Sequence, residues 1–419
     1  WPTSDGHIIG IAVAVDGDQW YFPIRHENGG NLDPKATFGW LQEVLNKPRD
    51  YVFHNASYDV GWLLQEGLKV KGRVVDTMIV APLLDENRFS YSLNSLGKDY
   101  LGERKNERDL RQAAAEFGVN AKSEMYKLPA QHVGAYAEQD ASLTLKLWNH
   151  FKQLIVKEDI ENIFNLELDV LNVVIPMRQK GVRVDLEKAE QLKLHLQTKE
   201  QSILDTIVKE YNVAVDLWAA ASIAKAFDAA KLEYSYTEKT GKPSFTKTFL
   251  SNHKHKLPRM IVEAREYNKA RTTFIDTVLR HQHKGRIHAE AHSLRSDEGG
   301  TITGRFSYSN PNLQQIPARH EQIGPMIRSL FLPEQDHVWG AFDYSSQEPR
   351  MVVHYSKLLN FNGAEKFSDQ YNEDPNTDFH QMAADIVGVP RKQAKDINLG
   401  LFYGMGTRKL AALLGLEVD

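Results

Sequence analysis

Arg391, Lys395, Leu399 and Tyr403 recur at every fourth position near the end of the chain, a spacing that places all four on one face of a helix. Val389-Pro390 before this stretch and Gly404-Met405-Gly406 after it supply start and stop signals, so a helix is predicted over 391–404. Two cations toward its N-terminal end and an aromatic ring at the other suit a triphosphate at one end and a base and sugar at the other. Taken alone, a solvated basic helix has the same pattern, so neighbouring sequence must decide between them.

About fifty residues upstream, the apolar run Val338–Phe342 ends in Asp343 and continues as Y-S-S-Q-E-P-R to Arg350. The run predicts a strand. An acid at its end, with Glu348 five residues on, can present a carboxylate to a divalent metal at a sheet edge. A lone strand-end Asp is more often a cap or turn residue. The order of motifs separates the two readings. D-Y-S-x-x-E-x-R, then R-x-x-x-K-x-x-x-L-x-x-x-Y-G, preceded by T-G-R-F-S-Y-S-N-P-N-L-Q-Q-I-P from Thr303 to Pro317, resembles the ordered motifs of family A DNA polymerases, the Klenow-like group.

That resemblance implies a template-directed DNA polymerase that uses two Mg2+ ions per active site, with Mn2+ as a substitute. Asp343 then binds the catalytic metals, Glu348 stands under the sugar and excludes a 2'-hydroxyl, and His380 touches the triphosphate. Arg391 and Lys395 hold its phosphates, Lys395 also donating a proton to pyrophosphate, and Tyr403 stacks at the templating position. Arg305 lies against the minor groove at the primer terminus with Gln314 nearby. Leu399 departs from the Phe or Tyr common at its position, which bears on discrimination against chain terminators.

A chain of 419 residues is too long for one ordinary core, so two to four domains are expected. With no cysteine there are no disulfides or thiolate metal sites, which fits a reducing compartment, and the resemblance implies the cytoplasm of a bacterial or phage-infected cell. No window approaches the roughly 18 apolar residues of a membrane span, so no membrane partner is expected. The net charge of -4 is unevenly spread. Residues 1–160 carry 18 Lys and Arg against 22 Asp and Glu, whereas residues 242–292 carry 11 against 4 with six histidines. Such a concentration suits a surface that tracks phosphates, although a solvated helix face has the same composition.

In the first third, His7–Val15 and Gln19–Ile24 read as strands joined by Asp16-Gly17-Asp18, a hairpin turn and not a D-x-D metal site. V-F-H-N-A-S-Y-D-V-G-W-L-L reads as a strand entering a helix with Asn55 and Asp59 four apart. A later helix places Tyr136 and Asp140 four apart. Each pair alone is weak. Together, about eighty residues apart and ahead of the polymerase motifs, they resemble the second and third motifs of a 3'-5' proofreading exonuclease. By that resemblance Asp59 and Asp140 bind metal, Tyr136 orients the attacking water and Asn55 positions substrate. The family's first motif, a D-x-E pair, has no counterpart, because Asp5, Asp16 and Asp18 lie off the expected strand. Asp76 reads as a cap.

In the middle, helices are predicted over 162–179, 186–211 and 261–281, with a strand at 182–184 and a polar loop at 238–244. Trp148 and Trp218 read as core. Arg265, Lys269, Arg271 and Arg280 fall near one another; in the resembling family this region grips duplex DNA, with Lys269 and Arg271 as backbone contacts.

The expected architecture is α/β and α+β multidomain. A ribonuclease-H-like exonuclease domain (1–155) precedes a mostly helical thumb (156–285), the first part of a palm (286–372) and the start of the fingers (373–419). Primer-template DNA and dNTPs are the implied partners. The chain starts at Trp1 and stops before the family's second palm Asp, so it reads as a fragment of a phage-like member. A processivity factor is a further possible partner; the alternatives are a catalytically incomplete DNA-binding fragment, or one half of a split polymerase needing a second chain.

Overall fold

A computed structural model of the chain describes residues 6–15, 17–318 and 320–414. The backbone separates into two compact units, Trp1–Asp336 and His337–Asp419. Asp5 and Asp16 lie outside the described residues.

The first unit opens with the antiparallel strands β1 (Gly10–Val15) and β2 (Asp18–Pro23). Helix α1 (Pro34–Leu45) starts where the Asp33 carboxylate accepts from Ala36 N at 2.7 Å and proline presets the first turn. Then come β3 (Asp50–Phe53), α2 (Ala56–Gln65), β4 (Arg73–Asp76), which pairs parallel with β3, and α3 (Thr77–Leu84). After α4 (Leu93–Leu101) and α5 (Arg108–Glu116), the long α6 (Gly134–Lys157) packs on the β1–β2 pair, where Tyr21 N donates to Glu138 Oε1 at 3.0 Å. The core beneath gathers Val75, Val80, Leu96, Leu147, Trp148 and Phe151, joined by Phe164 and Leu168 of α7 (Glu161–Lys180), so this packing continues past residue 155. Each fully buried side chain of this size contributes roughly 1.5–3 kcal/mol.

The elements predicted next form within a residue of expectation. They are β5 (Val182–Val184) and α8 (Leu186–Tyr211), started by Asp185 accepting from Lys188 N and ended by Asn212 in the left-handed region at φ 52°. α9 (Ala220–Ala229), the two-residue strands β6 (Ser235–Tyr236) and β7 (Pro243–Ser244), α10 (Lys247–Asn252) and α11 (Lys256–Lys269) enclose a second core of Phe227, Phe245, Leu250, Leu257 and Ile261. The stretch read as a loop over 238–244 is thus a hairpin whose return strand is β7.

The helix expected over 261–281 forms, but Ala270–Ile275 winds as a π-helix before α12 (Asp276–His281). Trp218 is a correction. It is 59% exposed, its indole donating to Asn268 Oδ1 at 2.9 Å beneath the Arg265 guanidinium, an arrangement that satisfies a polar N–H which a core site would strand.

The unit ends with β8 (Gln282–His283), β9 (Arg286–Ile287), β10 (Glu290–His292), β11 (Ser307–Ser309), α13 (Ile323–Arg328) and β12 (Phe331–Leu332). These strands make an antiparallel sheet in the order β12-β5-β9-β8 and a separate β10–β11 hairpin, whose connection holds residues 293–306.

The second unit is helical: α14 (Gln347–Leu358), α15 (Ala364–Glu373), α16 (Phe379–Val387), α17 (Arg391–Phe402) and α18 (Thr407–Leu414). The strand predicted over 338–342 does not form. Val338 and Phe342 are 90% and 98% exposed, and no described strand pairs with the run. Strand-forming composition expresses fit to a pleated, half-buried surface; without a ladder partner the backbone groups turn to water instead.

Candidate functional site

Asp76 organises the first site. Its Oδ1 accepts from Asn55 N (3.0 Å) and Met78 N (2.8 Å), and its Oδ2 accepts from Ala56 N (2.8 Å). One carboxylate, 2% exposed, therefore serves the N-termini of both α2 and α3. Burial pushes it up to about 6 while the three N–H donors pull it down. Its expected role as a cap fits this geometry.

This anchoring fixes the start of α2. Asn55 stands just before the helix in the left-handed region (φ 72°) and Asp59 follows in the first turn. The Asn55 amide is turned toward Glu298 Oε1 at 3.4 Å. Asp59 is exposed as a residue, yet the protein massed around its carboxyl, together with the charges of Asp76 and Asp140, raises it to about 7. Carboxylates crowded in this way favour a cation.

Tyr136 and Asp140 lie one turn apart on α6. Lys105 joins them: its Nζ donates to Asp140 Oδ2 at 2.7 Å and to the Tyr136 hydroxyl at 3.0 Å. The other Asp140 oxygen, Oδ1, is buried without a partner. An orphaned carboxylate oxygen beside a second, electrostatically strained acid fits a divalent cation held by Asp59 and Asp140. Sequence reasoning missed Lys105, because in the charged run G-E-R-K-N-E-R nothing marks it off from solvated neighbours. It missed Glu298 for the same reason: its approach to Asn55 spans 243 residues.

The second unit holds the other candidate site. On α17, Arg391, Lys395 and Tyr403 are exposed and Leu399 is half-buried, whereas Ala394 and Ile397 are buried, so the face expected from the fourfold spacing forms. Tyr403 closes the helix, and its hydroxyl donates to Glu348 Oε1 at 3.3 Å. Arg391 Nε pairs with Asp378 Oδ2 at 2.6 Å, and Asp378 also caps α16 through His380 N and Gln381 N. That pairing holds Asp378 below the usual carboxylate range.

His380, expected to face a triphosphate, is 6% exposed and lies 3.2 Å from Asn398 Nδ2 through its Nδ1, an enclosure that lowers its pKa. Asp343 is exposed in the irregular segment before α14, not at a strand end. Among the described residues no cluster of three or more His, Asp or Glu side chains is placed to hold a metal ion.

The expected DNA contacts divide. Arg305 is exposed in the β10–β11 connection, where its carbonyl accepts from Thr301 Oγ1, and Gln314 Nε2 donates to Phe306 O at 2.9 Å. Lys269 is exposed on α11. Arg271, by contrast, has a side chain 19% exposed and tied to Glu200 Oε2 of α8 at 3.1 Å. The basic surplus of residues 242–292 is partly spent in the same way. Lys247 pairs with Glu266, Lys256 with Glu210 and Arg286 with Glu334, while Arg265 donates to the Leu217 and Phe245 carbonyls. Glu200, Glu210 and Glu334, all from outside the segment, neutralise part of what composition counts as free.

Comparison with known proteins bears on both sites. Residues 186–419 match the profile described as DNA polymerase family A, and residues 2–156 match that described as 3'-5' exonuclease. The chain belongs to DNA polymerase family A. It is 37% identical over 434 residues to the DNA-directed DNA polymerase of Pseudomonas phage M6, covering 98% of this chain and 65% of that protein. It is 31% identical to the DNA polymerase DpoZ of Salmonella phage PMBT28, covering 97% and 68%. Against DNA polymerase I of Pseudomonas aeruginosa the identity is 28%, with 99% and 46% covered.

The chain thus spans about two thirds of the phage relatives and under half of the bacterial one. In fold it is similar to the POL domain of Pol1 from M. smegmatis, solved in complex with DNA primer-template and dNTP, with a TM-score of 0.70, 22% identity and 98% of this chain covered against 67% of that one. The structural match agrees with the expected polymerase fold, and the profile over residues 2–156 with the expected exonuclease domain. No helix among the described residues is long and apolar enough to cross a membrane.

Proposed function

We propose that this family A chain serves template-directed DNA synthesis from dNTPs on a primer 3'-hydroxyl, with proofreading by its 3'-5' exonuclease domain. The observation that carries the reading is the hydrogen bond between Tyr403 and Glu348. It joins two motifs 55 residues apart, at the end of a helix that exposes two cations about two and three turns away. Arg391 and Lys395 hold the triphosphate, Lys395 supplies a proton to pyrophosphate, Glu348 stands against the sugar and Tyr403 takes the templating position. Leu399 lies between the cations and the ring and bears on the sugar. Asp343 is the carboxylate of this centre.

In the exonuclease centre Asp59 and Asp140 hold Mg2+ or Mn2+, Tyr136 orients the attacking water and Asn55 positions the strand. A cation held by these two carboxylates would activate the water and neutralise charge at the phosphate. Arg305, Gln314 and Lys269 contact primer-template DNA, Lys269 through charge alone.

The test uses the full-length protein with primer-template, dNTPs and Mg2+. Asp343→Ala abolishes extension while DNA affinity stays within about threefold; retained extension refutes the role of Asp343. Asp59→Asn and Asp140→Asn remove 3'-5' degradation and spare extension. Duplex binding without extension by the unaltered protein supports a binding piece or a half-polymerase instead.

A further inference from the structure

We propose that Lys105 is a positioning residue of the exonuclease centre: its single ammonium fixes Asp140 Oδ2 and the Tyr136 hydroxyl together and leaves Asp140 Oδ1 as the oxygen for a cation. This rests on the exonuclease reading above.

The position of Lys105 does not depend on the ion pair it makes. Lys105 N donates to Asn94 Oδ1 of α4 at 3.0 Å, and Asn106 N donates to Gln139 Oε1 of α6 at 2.7 Å. Gln139 Nε2 returns a bond to Arg104 O at 3.2 Å. The segment is therefore fastened to α6 beside the turn that carries Tyr136 and Asp140, and to α4 on its other side. From there Nζ stands over the Tyr136 ring, 4.6 Å from its centroid, and the side chain is only 12% exposed.

An exposed Lys–Asp pair of ordinary kind is mobile and contributes roughly 0–1 kcal/mol. Here one donor group serves two functional oxygens from an anchored backbone, which holds a carboxylate and a phenol in one relation. An ammonium has three N–H donors, and two of them are spent on these two oxygens.

The division of the Asp140 oxygens supports positioning over blockade. If Lys105 served to fill the cation site, both oxygens would turn to it; instead Oδ1 stays buried and unpartnered. The ammonium thus neutralises half the carboxylate and orients the other half.

The test measures two quantities on the full-length protein: steady-state degradation of a single-stranded oligonucleotide, and Mn2+ binding in the absence of DNA, read from the electron paramagnetic resonance signal of free Mn2+. Lys105→Met removes the charge and both bonds while keeping the stem. It is expected to lower kcat about 10- to 100-fold with KM for the oligonucleotide within about twofold, the scale of a misplaced catalytic group. At the same time Mn2+ binds more tightly, because a cation beside its ligand is gone. Lys105→Arg recovers part of the rate.

An unchanged kcat, or a fall in kcat with an equal loss of Mn2+ affinity, overturns the proposal, since the second pattern is that of a site merely held together. Should Lys105→Met fail to fold, Lys105→Gln carries the same two readings. Asp59→Asn and Asp140→Asn run alongside. If neither weakens Mn2+ binding, the exonuclease reading itself fails; if they do and Lys105→Met changes nothing, Lys105 alone is wrong.

Discussion

Replacing Asp76 by alanine tests whether one buried carboxylate holds the exonuclease centre in place. Three backbone N–H groups, of Asn55, Ala56 and Met78, lose their acceptor. A buried donor left unpaired costs about 1–3 kcal/mol. These three sit at helix starts, where water re-enters most readily, and removal of the carboxylate relieves the burial that raises it to about 6. The lower end of the range therefore applies, and the expected destabilisation is about 3 kcal/mol in total.

Asp76→Asn keeps one oxygen for Asn55 and Met78 but sets an amide N–H2 against Ala56 N. Its effect should be roughly half that of alanine, about 1–2 kcal/mol. Because the chain has more than one domain, a single global transition is the wrong observable; native-state hydrogen exchange of the α2 and α3 amides isolates the local loss. Both variants should accelerate exchange in those helices in the order alanine over asparagine, with the α9–α11 core unaffected. If Asp76→Ala leaves exchange within about 1 kcal/mol of the original yet abolishes degradation, Asp76 is a functional ligand and not a scaffold.

Two further predictions concern charge. Glu334 lies in the fork of Arg286, at 2.9 and 2.8 Å, which lowers it to about 2. An acid depressed on folding adds stability above its unfolded value near 4.5 and loses it as pH falls toward 2. Hydrogen exchange of the amides in the β12-β5-β9-β8 sheet should therefore find Glu334→Gln less stable at pH 7 and equal to the original near pH 2; a constant difference at all pH refutes the linkage. Lys269→Ala should reduce the slope of log affinity for duplex DNA against log salt by about 1. Arg271→Ala should leave that slope unchanged and lower stability by about 2–3 kcal/mol, below the loss for a fully buried pair, because Glu200 is left without its cation. Equal salt slopes for the two variants would refute this division.

The α17 face, the strand-to-helix step at Asn55 and the helix carrying Tyr136 and Asp140 were legible because each is local. A period of four, an apolar run followed by a cap, and a pair one turn apart are set by backbone geometry within a dozen residues. The caps Asp33 and Asp185 are local in the same way, each side chain accepting from its own helix start. The order of the motifs was enough to indicate the family.

What the sequence could not supply was the partner of each charge. Arg271 and Lys269 are two residues apart in one basic run, yet Glu200 from another helix takes the first and leaves the second to solvent. Lys105 reads as one more solvated cation until α4 and α6 fasten its backbone beside Asp140. Val338–Phe342 has the composition of a strand, but a strand also needs a neighbour to complete its ladder, and none is present among the described residues. Sequence by itself determined the local elements and the ordered motifs, because short-range geometry and residue chemistry set both. Only the tertiary structure decided which carboxylates crowd, which cations are already spent and which oxygen of Asp140 is left open, because Coulomb and hydrogen-bond energies depend on distances between segments far apart in the chain.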